Sequence, residues 1–67
     1  MNKQLPILKV GVVSLNDLPG ELRSLLGSDA MYRIVAVKDN PDSPYTYFHM
    51  EVIFSSVLGW DFRADVN

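Results

Sequence analysis

The two side chains best suited to chemistry in this sequence are His49 and Glu51, which stand two positions apart. In a β-strand that spacing places both on one face, where they can exchange a proton or supply two ligands to a metal ion. A metal would need further ligands, and only carboxylates distant in sequence, such as Asp61 or Asp65, are available. We therefore favour a structural interpretation, in which His49 and Glu51 are a polar pair on a wet sheet face.

Other catalytic or ion-binding motifs are not indicated. No serine lies in the Gly-x-Ser-x-Gly turn that exposes a nucleophile in many hydrolases. Residues 39–43 begin like a calcium-binding loop, but Pro44 and Met50 occupy the positions that require glycine and glutamate. The sequence therefore predicts a protein that is not an enzyme and that holds neither a metal ion nor a cofactor.

The charge distribution argues against nucleic acid as a partner. The chain has 67 residues, with six basic and eight acidic side chains and a formal net charge of −2. Its basic residues are spread along the sequence, at Lys3, Lys9, Arg23, Arg33, Lys38 and Arg63. Contacts with phosphates supply most of the non-specific affinity for nucleic acid, and they need clustered basic groups. No acidic run exists either, which argues against mimicry of DNA.

Length and composition predict a single domain over residues 1–67. A chain of this size buries only about 60% of the surface that its unfolded form exposes, so we expect marginal stability. The sequence has no cysteine, no recognisable signal peptide and no apolar stretch of membrane-spanning length. We expect a complete cytoplasmic protein that begins at Met1 and does not interact with a membrane.

The first half of the sequence predicts one strand and one helix. Residues 7–15 are rich in β-branched side chains and are apolar at both parities, as in a strand covered on both sides. Gly11 within this strand indicates a bulge or a close approach. A helix is predicted to follow, with Asn16 or Asp17 as its cap and Gly27 at its end. Its leucines recur at helical spacing and are expected to form one core-facing stripe of Leu18, Leu22, Leu25 and Leu26.

The second half predicts three further strands. Residues 31–38 and 45–56 form a hairpin across the turn-forming segment 39–44. The tail, residues 57–66, alternates apolar and charged side chains and predicts a fourth, half-buried strand. The architecture is thus a small α+β domain of order β-α-β-β-β, with a mostly antiparallel sheet, one helix on one face, and the pairing of the first strand left open. Alternation along the third strand predicts a core face of Thr46, Phe48, Met50, Val52 and Phe54.

Two surfaces are predicted to meet a partner. The third strand's face away from the helix carries Tyr45, Tyr47, His49 and Glu51, and Tyr32 of the neighbouring strand can join them there. Tyrosine supplies a large amphipathic contact area, although solvent-facing tyrosines that only stabilise cross-strand pairs are the simpler alternative. The second surface is the tail strand, an edge that can add to a partner's sheet and whose charges would make the pairing selective. Its residues are Trp60, Asp61 and Arg63, and Trp60 has the alternative of closing the core.

These features favour a small protein-binding module, an inhibitor or adaptor that acts by occluding another macromolecule. Short cysteine-free chains of this kind are common in phages and mobile elements, an analogy that fixes no target. A homo-oligomeric accessory protein, such as a homodimer, is the second hypothesis, because association adds the burial that a small core lacks. The third is binding of single-stranded nucleic acid by stacking on Tyr45, Tyr47 or Phe48, against which the dispersed charge argues.

Overall fold

One α-helix and four strands follow each other in the predicted order β-α-β-β-β within residues 5–66, the part of the chain described by the computed structural model. The predicted α+β class is confirmed, and the boundaries fall within three residues of the predicted ones for the helix and the first three strands. The elements are β1 (Ile7–Val12), a 3-10 turn (Leu15–Asp17), α1 (Leu18–Leu26), β2 (Met31–Asp39), β3 (Thr46–Ser55), β4 (Trp60–Asp61) and a second 3-10 turn (Arg63–Asp65).

All strand pairings in the sheet are antiparallel, and β3 lies at its centre. Strand β1 pairs with one side of β3 and β2 with the other, which settles the position of the first strand. Residue Phe48 of β3, for example, stands between Val10 of β1 and Val37 of β2. The short strand β4 pairs with the end of β3 at Phe54 and Ser55.

Helix α1 starts and stops largely where its sequence signals lie. Pro19 occupies the first turn, where its missing amide donor is harmless. Gly27 ends the helix at a positive φ of 95°, and its amide donates to the Arg23 carbonyl at 3.0 Å. The predicted cap is wrong in its chemistry: Asp17 holds the cap position without a side-chain hydrogen bond, and Ser14 instead accepts from the Asn16 amide at the preceding 3-10 turn.

The hydrophobic core is built from β1, α1 and β3 and contains no residue of β2. Helix α1 contributes three of the four predicted leucines, since Leu25 is 43% exposed and lies off the buried stripe. The predicted core face of β3 is confirmed for Phe48, Met50 and Val52, which are all buried. It is wrong at the end of the strand: Phe54 is only half-buried, and Ser55 is buried instead, with its hydroxyl donating to the Leu26 carbonyl at 2.8 Å. Thr46 is also only half-buried. The buried cluster comprises Val10, Val12, Leu18, Leu22, Leu26, Phe48, Met50 and Val52.

The tail does not form the long fourth strand predicted for it. Only Trp60–Asp61 pairs with β3, and the chain then turns into the 3-10 segment Arg63–Asp65. The reason lies in local hydrogen bonds: the Asp61 carboxylate accepts from the backbone amide of Arg63 at 3.2 Å, and the Asp65 amide donates to the Phe62 carbonyl at 3.0 Å. These bonds curl the backbone, so the alternation of apolar residues does not extend the ladder.

Helix α1, nine residues long, is too short to cross a bilayer, and no other helix within residues 5–66 is long and apolar enough to do so.

Candidate partner-binding site

The sheet has an outer face, which we define as the side opposite to α1. Residues that stand opposite each other in a ladder share a face, so the register places Tyr47, His49 and Glu51 there together with their neighbours on β1 and β2. All three are half-buried. Tyr45 lies just before β3 and is exposed, with its ring centroid 6.5 Å from that of Tyr47 at an interplanar angle of 41°. The structure therefore brings the four predicted residues of this surface together.

Tyr47 is packed rather than free. Its ring lies over Gly11 of β1, where a Cβ atom would come within 2.8 Å of the ring carbon Cε1. This close approach is the role predicted for Gly11. The ammonium group of Lys9 lies 4.3 Å from the centre of the same ring, a cation–π distance. Tyr47 is thus packed against its neighbours on β1, and only part of its ring is accessible to a partner.

His49 and Glu51 share the outer face but have different surroundings. The Glu51 carboxylate accepts a hydrogen bond from Arg33 Nε on the neighbouring strand β2 at 2.5 Å. His49 stands between Lys9 and Ala36, and its Nε2 atom is buried without a hydrogen-bond partner among residues 5–66. In that described range, no three His, Asp or Glu side chains are grouped so as to hold a metal ion.

A shallow basic concavity lies on the outer face between β1 and the end of β2. Its volume is about 320 Å³, and its walls include Lys9, Lys38, Tyr47 and His49, with one acidic residue, Asp39. Two ammonium groups beside one imidazole are notable in a chain whose net charge is −2. Dispersed basic residues are therefore partly assembled by the fold, which sequence spacing alone did not show. Lys3, the remaining lysine of the sequence, lies outside the described residues.

The tail residues predicted as a second surface lie at the other end of β3. Trp60 is half-buried and packs against the core, which is the alternative given for it above. Arg63 donates to both Asp61 carboxylate oxygens, at 2.8 Å and 2.6 Å, and its guanidinium lies 4.4 Å from the centre of the Phe54 ring. These hydrogen bonds from the Arg63 side chain and backbone lower the pKa of Asp61 to about 2, and the same carboxylate raises the pKa of Arg63. The two tail charges are thus satisfied by each other.

Among the elements within residues 5–66, β2 carries the most exposed large apolar side chains, and the sequence analysis did not single it out. Five large apolar side chains of this strand are exposed: Met31, Tyr32, Ile34, Val35 and Val37. By register, Tyr32, Ile34 and Val37 stand opposite the core residues Val52, Met50 and Phe48, so they point to the helix side of the sheet. The expectation that Tyr32 joins the outer face is therefore wrong. This strand has the composition of a covered strand, but residues 5–66 do not cover it.

The width of the sheet explains why β2 is bare. Three adjacent strands span about 14 Å, whereas one helix is about 10 Å across. Helix α1 packs over β1 and β3, as the membership of the core shows. A groove of about 200 Å³ remains between the helix and β2, lined by Leu22, Arg23, Ala30 and Tyr32 among others. A signal was present in the sequence, because a run of β-branched residues was accompanied by only one short helix.

The far edge of β2 is also unpaired within residues 5–66. An unpaired edge presents backbone amides and carbonyls that can accept another strand. Edge protection is only partial: the ladder shifts register between Ile34 and Ala36, and the strand carries two basic side chains, Arg33 and Lys38. We refer to this edge and to the helix-side residues Tyr32, Ile34 and Val37 together as the β2 surface.

No protein-family model matches this chain, and no curated protein or solved structure matches it either. The function must therefore be argued from the surfaces themselves.

Proposed function

We propose that this protein is a non-enzymatic protein-binding module, an inhibitor or adaptor of the cytoplasm, whose partner adds an extended segment to the β2 surface. The observation that carries the proposal is that a nine-residue edge strand exposes five large apolar side chains beside an open groove. Such a combination of unpaired backbone and exposed apolar area is typical of sites that are completed by another chain.

The proposal shifts the predicted surface without discarding it. Tyr45, Tyr47, His49 and Glu51 lie on the face opposite to the apolar part of the β2 surface. A strand added to β2 would present side chains to both faces, as every strand does. Its outward side chains would lie beside Arg33 and Lys38, so the outer face contributes the polar rim of the same interface.

Non-enzymatic action is supported by the state of the polar groups on the outer face. Glu51 is held by Arg33, and its carboxylate does not bond to His49. His49 Nε2 is buried, so the imidazole does not offer this atom to a substrate. The phage or mobile-element origin favoured by size and composition remains an analogy.

A homo-oligomer is the second candidate, because the β2 surface of one copy can serve as the partner of another. Light scattering coupled to size-exclusion chromatography separates the two candidates. A monomer at all concentrations supports a foreign partner, and a stable dimer supports self-association. Binding of single-stranded nucleic acid has less support, since Tyr47 is half-buried and engaged by Gly11 and Lys9.

A matched pair of substitutions tests the proposed surface. Val37 on β2 and Ile7 on β1 are 55% and 56% exposed, so replacing either with arginine adds the same charge at equal exposure. Tagged wild-type protein is used to capture partners from lysate of the source organism, followed by mass spectrometry. We expect Val37→Arg to lose the captured protein and Ile7→Arg to retain it. Retention by both variants, or loss from both, would contradict docking on β2.

A further inference from the structure

The charges on β2 are sorted by face. On the helix side the strand presents Tyr32, Ile34 and Val37, and on the outer side it presents Arg33 and Lys38. Asp39, the acidic residue of β2, stands opposite Thr46 on the helix side, where its carboxylate accepts a hydrogen bond from the threonine hydroxyl at 2.8 Å. The charged side chains on the outer side of β2, Arg33 and Lys38, are therefore both basic, with the uncharged Ala36 between them.

Strand β3 shows what kind of neighbour this arrangement accepts. It meets β2 with apolar side chains on the helix side and with polar ones on the outer side. On that outer side, Glu51 stands directly opposite Arg33 and forms an ion pair with it. A strand that pairs with the other edge of β2 meets the same two rows of side chains, because faces are shared across a ladder.

Lys38 extends the same preference. Within residues 5–66 its ammonium group takes part in no ion pair. It lies with Lys9 and His49 around the basic concavity of the outer face. An acidic side chain placed beside Lys38 is attracted by the ammonium charge, whereas a basic side chain is repelled by it.

The same charges disfavour pairing of β2 with a second copy of itself. Consider an antiparallel pair in the register that joins Ile34 of one copy to Val37 of the other on the helix side. This register sets Arg33 directly opposite Lys38 of the second copy, and symmetry repeats the clash. Like charges directly opposite each other destabilise a ladder. In this register, charge complementarity therefore favours a foreign segment over a second copy.

We infer that the partner segment is an extended strand that alternates apolar and acidic side chains, with its apolar residues on the helix side and its acidic residues beside Arg33 and Lys38. This inference rests on the proposed docking at the β2 surface and adds the chemistry of the partner. The apolar row of the segment would cover Tyr32, Ile34 and Val37 and close the groove beside α1.

Two synthetic peptides test the inference directly. The probe is TVEVEVT and its control is TVKVKVT, which has the same apolar residues and the opposite charge. Each is titrated into isotope-labelled full-length protein while the amide shifts are followed by NMR. We expect TVEVEVT to shift the amides of β2 (Met31–Asp39) and to bind at least about tenfold more tightly than TVKVKVT. Equal affinities, or tighter binding of TVKVKVT, would overturn the inference.

Charge reversal at Lys38 localises the effect. The Lys38→Glu variant should lower the ratio of the affinity for TVEVEVT to the affinity for TVKVKVT by about fivefold or more. The new carboxylate weakens binding of the acidic peptide and strengthens binding of the basic one. Arg63→Glu is the matched control: it makes the same change in net charge in the tail, outside the β2 surface, and should leave the ratio within about twofold. If the Arg63 variant changes the ratio as much as the Lys38 variant, net charge rather than the β2 row governs binding, and the inference is wrong.

The result is separable from the test of the proposed function. Capture that is lost in Val37→Arg while neither peptide binds up to about 1 mM would keep docking on β2 and reject the acidic–apolar segment. Capture that is unaffected by Val37→Arg would reject both. A stable dimer of the wild-type protein by light scattering would reject the foreign strand in favour of a second copy.

Discussion

The two edge strands of the sheet, β1 and β2, are built from similar residues but differ in how far their helix-side residues are buried. Strand β1 is apolar and β-branched, and its inward residues Val10 and Val12 are buried beneath α1. Strand β2 is equally apolar, yet its helix-side residues are exposed. The difference follows from the position of a single nine-residue helix rather than from the strands' own sequences.

Because of this asymmetry, the residues that stabilise the fold and the residues that are exposed to a partner lie in different halves of the sheet. The half of the sheet formed by β1 and β3 holds the buried cluster, so substitutions there are felt by the whole fold. The β2 half can change its inward side chains with little loss of burial. A partner that covers β2 would therefore bury the apolar area that this chain leaves exposed, and it would not need to displace any residue of the core.

The largest contrast is expected across the two faces of β3, between Phe48 and Tyr47. Phe48→Ala removes a buried ring and should lower the free energy of unfolding by about 3–5 kcal/mol. Tyr47→Ala should cost about 1 kcal/mol, since it loses the contacts with Gly11 and Lys9 but leaves the core intact. Urea unfolding followed by circular dichroism measures both.

Phe48→Leu serves as a second variant if Phe48→Ala does not fold, because it retains most of the buried volume. The division of the faces would be refuted if Tyr47→Ala destabilised the protein as much as Phe48→Ala. The outer face would then be part of the core, and the contrast between the sheet's covered and open surfaces would lose its basis.

The same substitution in both edge strands tests whether β1 is covered and β2 is exposed. Val12 on β1 is 2% exposed and Val37 on β2 is 55% exposed. Val12→Ala should therefore lower the free energy of unfolding by about 2 kcal/mol, from lost apolar burial and the cavity left behind. Val37→Ala should change it by less than about 1 kcal/mol. Denaturant midpoints for the two variants, compared with the wild type, give the result.

Because both substitutions replace valine with alanine in an edge strand, the loss of intrinsic β-propensity is similar for each. The difference between them reports burial alone. Equal destabilisation would mean that β2 is covered in solution, by a second copy or by residues outside 5–66, and the β2 surface would not be free.

The fold class was predictable because the hydrophobic periodicity and the positions of turn-forming and helix-ending residues agree in most of the chain. The period of two along β3 separates Phe48, Met50 and Val52 from Tyr47 and His49, and burial confirms that separation. Gly27 has the positive φ that its place after the leucine stripe predicts. In these places, local preference and tertiary packing favour the same structure.

Prediction failed at the tail and on β2 for different reasons. The alternation from Trp60 onwards suits a strand, but the local hydrogen bonds between Asp61 and Arg63 turn the chain instead. The single short helix indicates that part of the sheet is bare, but the sequence does not show which two strands the helix covers, so the exposure of Ile34 and Val37 was not predicted. The β2 surface was missed for this reason: its sequence is that of a buried strand.

The smallest effect concerns the tail, where Asp61 and Arg63 contrast with Lys38 of β2. Hydrogen bonds from the Arg63 side chain and backbone hold the pKa of Asp61 at about 2, below its ordinary value of 3.8. Because the folded pKa is depressed, the stabilisation by this pair is present in full above pH 3.8 and is lost as the pH falls through about 2. The carboxylate is exposed, so the change in stability should be small.

The titration itself is the sensitive measurement. Side-chain carboxyl shifts followed by NMR should give an Asp61 midpoint near 2 in the wild type, and Arg63→Gln should move it towards 3.8. Lys38→Gln is the control and should leave the midpoint unchanged, since Lys38 forms no ion pair within residues 5–66. An Asp61 midpoint near 3.8 in the wild type would mean that the tail pair is open in solution. Arg63 would then be as free as Lys38 to meet an acidic partner, and Lys38 would no longer be distinguished by its lack of an ion-pair partner.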